Sequence, residues 1–158
     1  MQYTRDLNEY NRTHSTHFGS WEDVHLTRRE PDGTEAEKYD WNHFVRENLN
    51  LLWIRADPGA RPYYHEFLAA KYKQIGVLNA RYGTGYASFQ QIPLIREPPV
   101  SGLALSDWDS VISGWTDPET GRQHIIPSEF LYVASVDFLF RDFLEYKFGS
   151  LDNLNRTL

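Results

Sequence analysis

His14-x-x-His17, with Asp23 and His25 close behind, is the one cluster in the sequence whose residue types and spacing resemble a metal site. A zinc ion would ask for three or four such ligands in a tetrahedron. An internal comparison argues against that chemistry, because Tyr82 and Gly85 stand where the second copy of the motif, described below, would need His14 and His17. His43, His65 and His124 are isolated, with His65 on the polar side of its helix, and surface or capping roles are expected of them. Neither metal nor cofactor is expected.

Paired carboxylates can serve as general acid and base when they face each other across a cleft. Glu22 with Asp23, Asp107 with Asp109, and Asp117 with Glu119 are the available pairs. All read as caps or loops, where acids are expected for solvation and for the helix dipole. Ser20 and Ser88 lack the Gly-x-Ser-x-Gly elbow of a nucleophile, and neither glycine-rich phosphate cradle occurs. No catalytic residue is therefore assigned. Asn11-Arg-Thr13 and Asn155-Arg-Thr157 spell a glycosylation sequon. Trp115 lies in a loop rich in Gly, Pro and Asp, and is the ring least obliged to pack in the core. It is the candidate binding residue, a contact for a sugar or a protein, against the plainer reading that it covers the core under its own loop.

These residues belong to a chain of 158 amino acids and 18.6 kDa with a formal net charge of -6. Hydrophobic residues make up 41% and aromatic residues 15%, a content of ring surface that calls for a packed core. The absence of cysteine excludes disulfides, thiolate metal sites and thiol chemistry together. A pI near 5.5 with acids and bases interspersed argues against a nucleic-acid partner. No apolar run approaches the roughly 20 residues that span a bilayer, and no signal pattern opens the chain.

The elements that must carry these residues follow from a repeat. Residues 11–26 align with residues 79–94 at a shift of 68, with Asn, Thr, Ser and Leu coincident and Phe18/Tyr86, Trp21/Phe89 and Val24/Ile92 exchanged like for like. Asp40-Trp41 matches Asp107-Trp108, and Phe44-Val45 matches Val111-Ile112, at a shift of 67. Residues 67–79 align with residues 143–155 at a shift of 76, with Phe, Leu, Lys, Leu and Asn coincident. Three blocks in one order at nearly equal shifts imply a unit of about seventy residues used twice. The expected organisation is a single soluble domain, 1–158, of two repeats (about 1–73 and 74–158), excised from a longer chain.

Within each unit the periodicity predicts a mainly α fold: two tandem copies of a helix-turn-short-helix unit joined by irregular connectors anchored by aromatic rings. Trp41, Phe44, Val45, Leu49 and Leu52 fall at helical spacing, with Asp40 placed to cap. After the turn Asp57-Pro58-Gly59, Pro62 opens a helix carrying Tyr63, Tyr64, Phe67, Leu68 and Tyr72. Ile75, Leu78 and Asn79 mark a short helix. Gly149 and Ser150 predict a break and a cap before Leu151, Leu154 and Asn155. A long central helix is expected over residues 128–148. Loops are expected at 28–38, 95–105 and 114–123, and short strands at Leu51 to Arg55 and Gln123 to Ile126.

The segment Phe-Leu-x-x-Lys-[Tyr/Phe]-x-x-[Ile/Leu]-x-x-Leu-Asn, followed by Gly-Thr-Gly-Tyr-Ala-Ser-Phe-x-x-Ile-Pro-Leu, resembles an aromatic-rich element found in two settings. One is β-galactosidase-type glycoside hydrolases, where it decorates a catalytic barrel. The other is a group of bacterial sugar ABC transporter permeases, where repeated copies form a large extracytoplasmic region. A retaining glycosidase would need a barrel of about 250 residues, so the tandem copies look more like the permease region. That resemblance implies a non-catalytic periplasmic module of a membrane-embedded parent, docking the solute-binding protein or orienting the complex with the other transporter subunits. The alternatives are an accessory segment of a β-galactosidase-like hydrolase, and a carbohydrate-binding module using Trp115 or Tyr64.

Overall fold

Short polar side chains start the helices by accepting the backbone N–H groups that a first turn leaves without partners. In the computed structural model, which describes residues 6–149 and Asn155, Asp6 accepts from the Asn8 amide at 2.9 Å and opens α1, Leu7–His14. Thr34 and Glu37 bond reciprocally across the start of α2, Glu35–Glu47. Pro62 occupies the first turn of α3, Arg61–Tyr72. It is followed by α4, Ile75–Tyr82, and by α5, Gly102–Ser113. The last helix, α6, spans Val136–Phe148 and closes on Gly149 in the left-handed region. The fold is mainly α.

Two small antiparallel ladders complete it. β1, Ile54–Ala56, pairs with β4, Leu131–Val133, with Ile54 opposite Val133 and Ala56 opposite Leu131. β2, Trp115–Thr116, pairs with β3, Gln123–His124, across the turn made by Asp117 to Gly121. α3 lies at the centre, touching α4, α5, β3 and the 3-10 turn Phe89–Gln91. Its Phe67 and Leu68 join Val45, Leu78, Trp108 and Val111 in the shared core. Arg46 of α2 donates to the carbonyls of Ile112 and, at 2.8 Å, Ile126, which ties α2 to the end of α5. No helix among the described residues is long and apolar enough to cross a membrane.

The structure departs from the sequence expectations in several places. The helix expected over 128–148 is a 3-10 turn at Ser128–Phe130, then β4, then α6. Leu131 to Val133 are buried on both faces, and the chain there bonds sideways, Val133 N to the Arg28 carbonyl and Ala134 N to the Trp53 carbonyl, each at 2.8 Å. A buried strand of this kind presents the same continuous apolar run as a buried helix. What remains, α6, is peripheral rather than central. The helix expected to start after Asp40 starts at Thr34, so Asp40 lies inside α2, and residues 35–38 are helical where a loop is expected. Residues 102–105 likewise belong to α5. The expected cap at Ser150 and the expected continuation at Leu151 and Leu154 lie outside the described residues. Asn155 is helical.

α6 is held to the body by Arg28, whose guanidinium donates to both carboxylate oxygens of Asp142 at 2.6 and 2.9 Å and lies over the rings of Tyr132 and Phe138. The hydrogen bonds from Arg28 hold the Asp142 carboxyl below its ordinary value of 3.8. A depressed carboxyl contributes its full share of stability above the unfolded value and loses it as the pH falls through the native one. Both side chains are partly solvated, so the contribution is modest. The stability difference between the native chain and Arg28→Ala, read from urea midpoints, should be largest at neutral pH and close as the pH drops below 3.8; a difference independent of pH would contradict this anchoring.

Candidate functional site

The geometry of the site begins with two asparagines. Asn11, in the last turn of α1, accepts from Thr16 Oγ1 at 2.8 Å and from the Phe18 amide at 3.0 Å, and donates to the Phe18 carbonyl at 2.9 Å. Asn79, in α4, accepts from Thr84 Oγ1 at 2.9 Å and the Tyr86 amide at 3.0 Å, and donates to the Tyr86 carbonyl at 2.8 Å. In both places the helix ends on a left-handed residue, Ser15 or Gly83. Three bonds to one amide side chain, two accepted and one donated, hold each connector in a single conformation. The Asn11 amide nitrogen of the first sequon is thus engaged, and the second sequon extends beyond the described residues.

Further along, Ser20 precedes the 3-10 turn Trp21–Asp23 and Ser88 precedes Phe89–Gln91. The connectors then supply one carbonyl each to a buried indole: Trp41 Nε1 donates to Thr27 at 2.9 Å, and Trp108 Nε1 donates to Ile95 at 3.2 Å. The aspartate preceding each tryptophan points back to the short helix. Asp40 lies 3.0 Å from His14 Nε2, and Asp107 accepts from the Tyr82 hydroxyl.

Asp107 is fully buried and also accepts from Lys71 Nζ and the Tyr72 hydroxyl, each at 2.6 Å. This is not the cap or loop expected for it from sequence. A buried carboxylate persists only with such donors. Burial first, then Asp107, pushes the Tyr64 phenol up to about 12. Burial first, and then the hydrogen bond to Asp107, also raises Tyr72 and Tyr82. These phenols stay protonated and act as donors throughout the neutral range. The arrangement joins α3, α4 and α5.

Around Asp40 the arrangement is more open. Tyr10, Phe18, Val24, Leu26, Trp41 and Phe44 line a groove of about 360 Å³, with Glu37 and Asp40 among its polar groups. Phe44 is 42% exposed, whereas Val111, its counterpart in the sequence alignment, is fully buried. Trp21 and Leu26 are also exposed large side chains on this part of the chain.

The candidate residues named from sequence are scattered. His14 is buried beside Asp40, its ring against Tyr10 with centroids 4.1 Å apart. His17 and His25 are exposed, and Asp23 accepts from the Ser20 amide within a capping box. No group of three His, Cys, Asp or Glu side chains is placed to hold a metal ion among the described residues. His65 is buried and donates to the Ile92 carbonyl at 2.8 Å, in place of the polar surface expected of it. His124 is buried too, beside Trp115; His43 is exposed and pairs with Glu47 at 3.2 Å. Asp117 accepts from the Glu119 amide, Thr120 and Lys73, and those bonds, the backbone one foremost, hold its carboxyl below the usual range.

Trp115 is half-buried, its ring edge-on to Phe67 at 5.6 Å. Gly114 turns the chain into it with a φ of +97°, and a Cβ there would lie 2.7 Å from Gln123 Nε2. Tyr64, the other aromatic proposed as a sugar contact, is buried in the core. Sequence reasoning missed the donors around Asp107. The available signal was an aspartate directly before a core tryptophan in both aligned blocks.

Comparison with protein-family models, curated proteins and solved structures returns no match. Replacing Asp107 by Ala should lower stability by about 3 kcal/mol, since it strands a buried phenol, a half-buried phenol and a half-buried ammonium. Tyr82→Phe should cost about 1 kcal/mol. Urea denaturation of both variants checks this, and an Asp107→Ala chain as stable as the parent would refute the assigned role.

Proposed function

We propose that the chain is a non-catalytic interaction module built from two copies of one unit, about 1–73 and 74–158. The observation that carries the reading is the use of its best candidate groups. Asp107, Asp117, His14 and His65 are engaged in hydrogen bonds that hold the fold, while Phe44 keeps an exposed ring at the edge of an apolar groove. Chemistry needs a group free to exchange protons or attack, whereas recognition needs shaped apolar surface.

What supports the two-copy unit is the pair of matching networks, asparagine clasp, left-handed stop, serine-led 3-10 turn and carbonyl-bound tryptophan, at Asn11 to Trp41 and at Asn79 to Trp108. By the resemblance of its aromatic element, the module belongs to the extracytoplasmic region of a sugar ABC transporter permease, and its partner is the periplasmic solute-binding protein. The loops it displays, with the outer edge of Trp115, supply the contact in this reading.

Calorimetric titration of the solute-binding protein, with and without sugar, into the chain should give saturable binding that Trp115→Phe preserves and Trp115→Ala weakens by about 10-fold. No heat in either titration, together with unchanged sugar uptake by the permease lacking this region, would end the proposal.

A further inference from the structure

Glycine takes a positive φ freely, because it has no Cβ to press against the neighbouring backbone. Lys73 takes one all the same. It joins α3 to α4 with φ 60° and ψ -39°, and the Gln74 amide behind it donates to the Tyr72 carbonyl at 2.6 Å. That is a three-residue γ-turn of the strained hand. Ser15, the other described non-glycine residue with positive φ, has ψ 37° and lies in the ordinary left-handed region. At the shift of 76 the place of Lys73 is held by Gly149, with φ 71° and ψ -27°. The backbone therefore gives no reason for a lysine at this joint, and its strain has to be offset by something the side chain does.

The side chain reaches the hairpin. Lys73 Nζ lies 3.3 Å from Asp117 Oδ2 and 3.1 Å from Glu119 Oε2, both in the turn that connects β2 to β3. Asp117 organises that turn. Its buried carboxylate accepts from the Glu119 amide at 3.0 Å and from Thr120 Oγ1 at 2.9 Å, its amide donates to the Arg122 carbonyl at 2.8 Å, and its carbonyl accepts from the Gly121 amide at 2.8 Å. Two residues earlier stands Trp115, opposite His124 in the ladder and edge-on to Phe67 of α3. A second ion pair, Arg122 to Glu66 at 2.6 Å, ties the far side of the turn to α3. Lys71 and Tyr72, just before the joint, are committed to Asp107 of α5. Neighbouring side chains at the end of α3 thus serve two different elements, and the chain reverses at the residue that serves the hairpin.

We infer that Lys73 is a positioning residue for Trp115: a strained joint between α3 and α4 whose ammonium holds the turn of the hairpin, and through that turn the placement of the Trp115 ring against Phe67. The inference rests on the reading of Trp115 as the contact residue given above, and it names what sets that contact. Strain and hold belong to one residue, so substitutions separate them. Glycine relaxes the backbone and loses the ion pairs, alanine loses the ion pairs and keeps the strain, and arginine keeps both.

Urea midpoints of Lys73→Gly and Lys73→Ala compare two chains that both lack the ion pairs, so their difference reads the backbone alone. The glycine chain should have the higher ratio of folded to unfolded molecules, by about 5-fold, the reverse of the order found inside a helix. Nuclear magnetic resonance reads the ring, with the Trp115 signals assigned by their disappearance in Trp115→Phe. In Lys73→Gly those signals should shift and the cross-peaks between the Trp115 and Phe67 rings should be lost, while the Trp41 and Trp108 signals stay as in the parent. Lys73→Arg should keep the parent's cross-peaks. An alanine chain as stable as the glycine chain, Trp115 signals unmoved in Lys73→Gly, or cross-peaks lost equally in Lys73→Arg would each overturn the inference. Every one of these results is read on the chain alone. Variants that behave as stated in a chain that fails to bind the solute-binding protein would end the module reading and leave the role of Lys73 supported.

Discussion

A carboxylate sealed away from water imposes its requirements on everything near it, because leaving it without donors would cost several kcal/mol. Asp107 meets that requirement with a lysine and a tyrosine from the end of α3 and a tyrosine from the end of α4. Three helices are thereby fixed at one point. With their termini pinned, the apolar faces that meet there, Phe67, Leu78, Trp108 and Val111, fall into register as one core. The neighbouring indole, bonded to the Ile95 carbonyl, carries the same constraint outward to the connector. Polar bonds set the geometry, and burial of the rings supplies most of the stabilisation.

The first half of the chain meets the same requirement differently. Asp40 has a quarter of its side chain exposed and faces a histidine where Asp107 faces a tyrosine. Tyr10, Trp41 and Phe44 border a groove beside it. On α6 the side facing the body bears Phe138 and Asp142, while Phe140 and Phe143 are exposed.

Much of this was legible in the residues. The helices at Arg61–Tyr72 and Ile75–Tyr82 follow from Pro62 and from ring spacing, and both Trp41 and Trp108 are buried as their matched positions suggest. Other features were hidden for definable reasons. Leu131 to Val133 is too short and too uniformly apolar to distinguish a doubly buried strand from a helix, so the break before α6 could not be placed. Thr34 with Glu37 is a stronger start signal than Asp40, because the two side chains satisfy two amides at once. Asp107 and His65 look like surface residues in sequence, and only tertiary contacts from chain segments up to 36 residues away supply their partners.

The two-copy proposal requires that one hydrogen-bonded arrangement be made twice around an aspartate-tryptophan pair. Exchange of the indole N–H protons, followed by nuclear magnetic resonance, tests it most directly. The Nε1 protons of Trp41 and Trp108 should both exchange far more slowly than that of the exposed Trp21. An indole at either position that exchanges as fast as Trp21 would contradict the account.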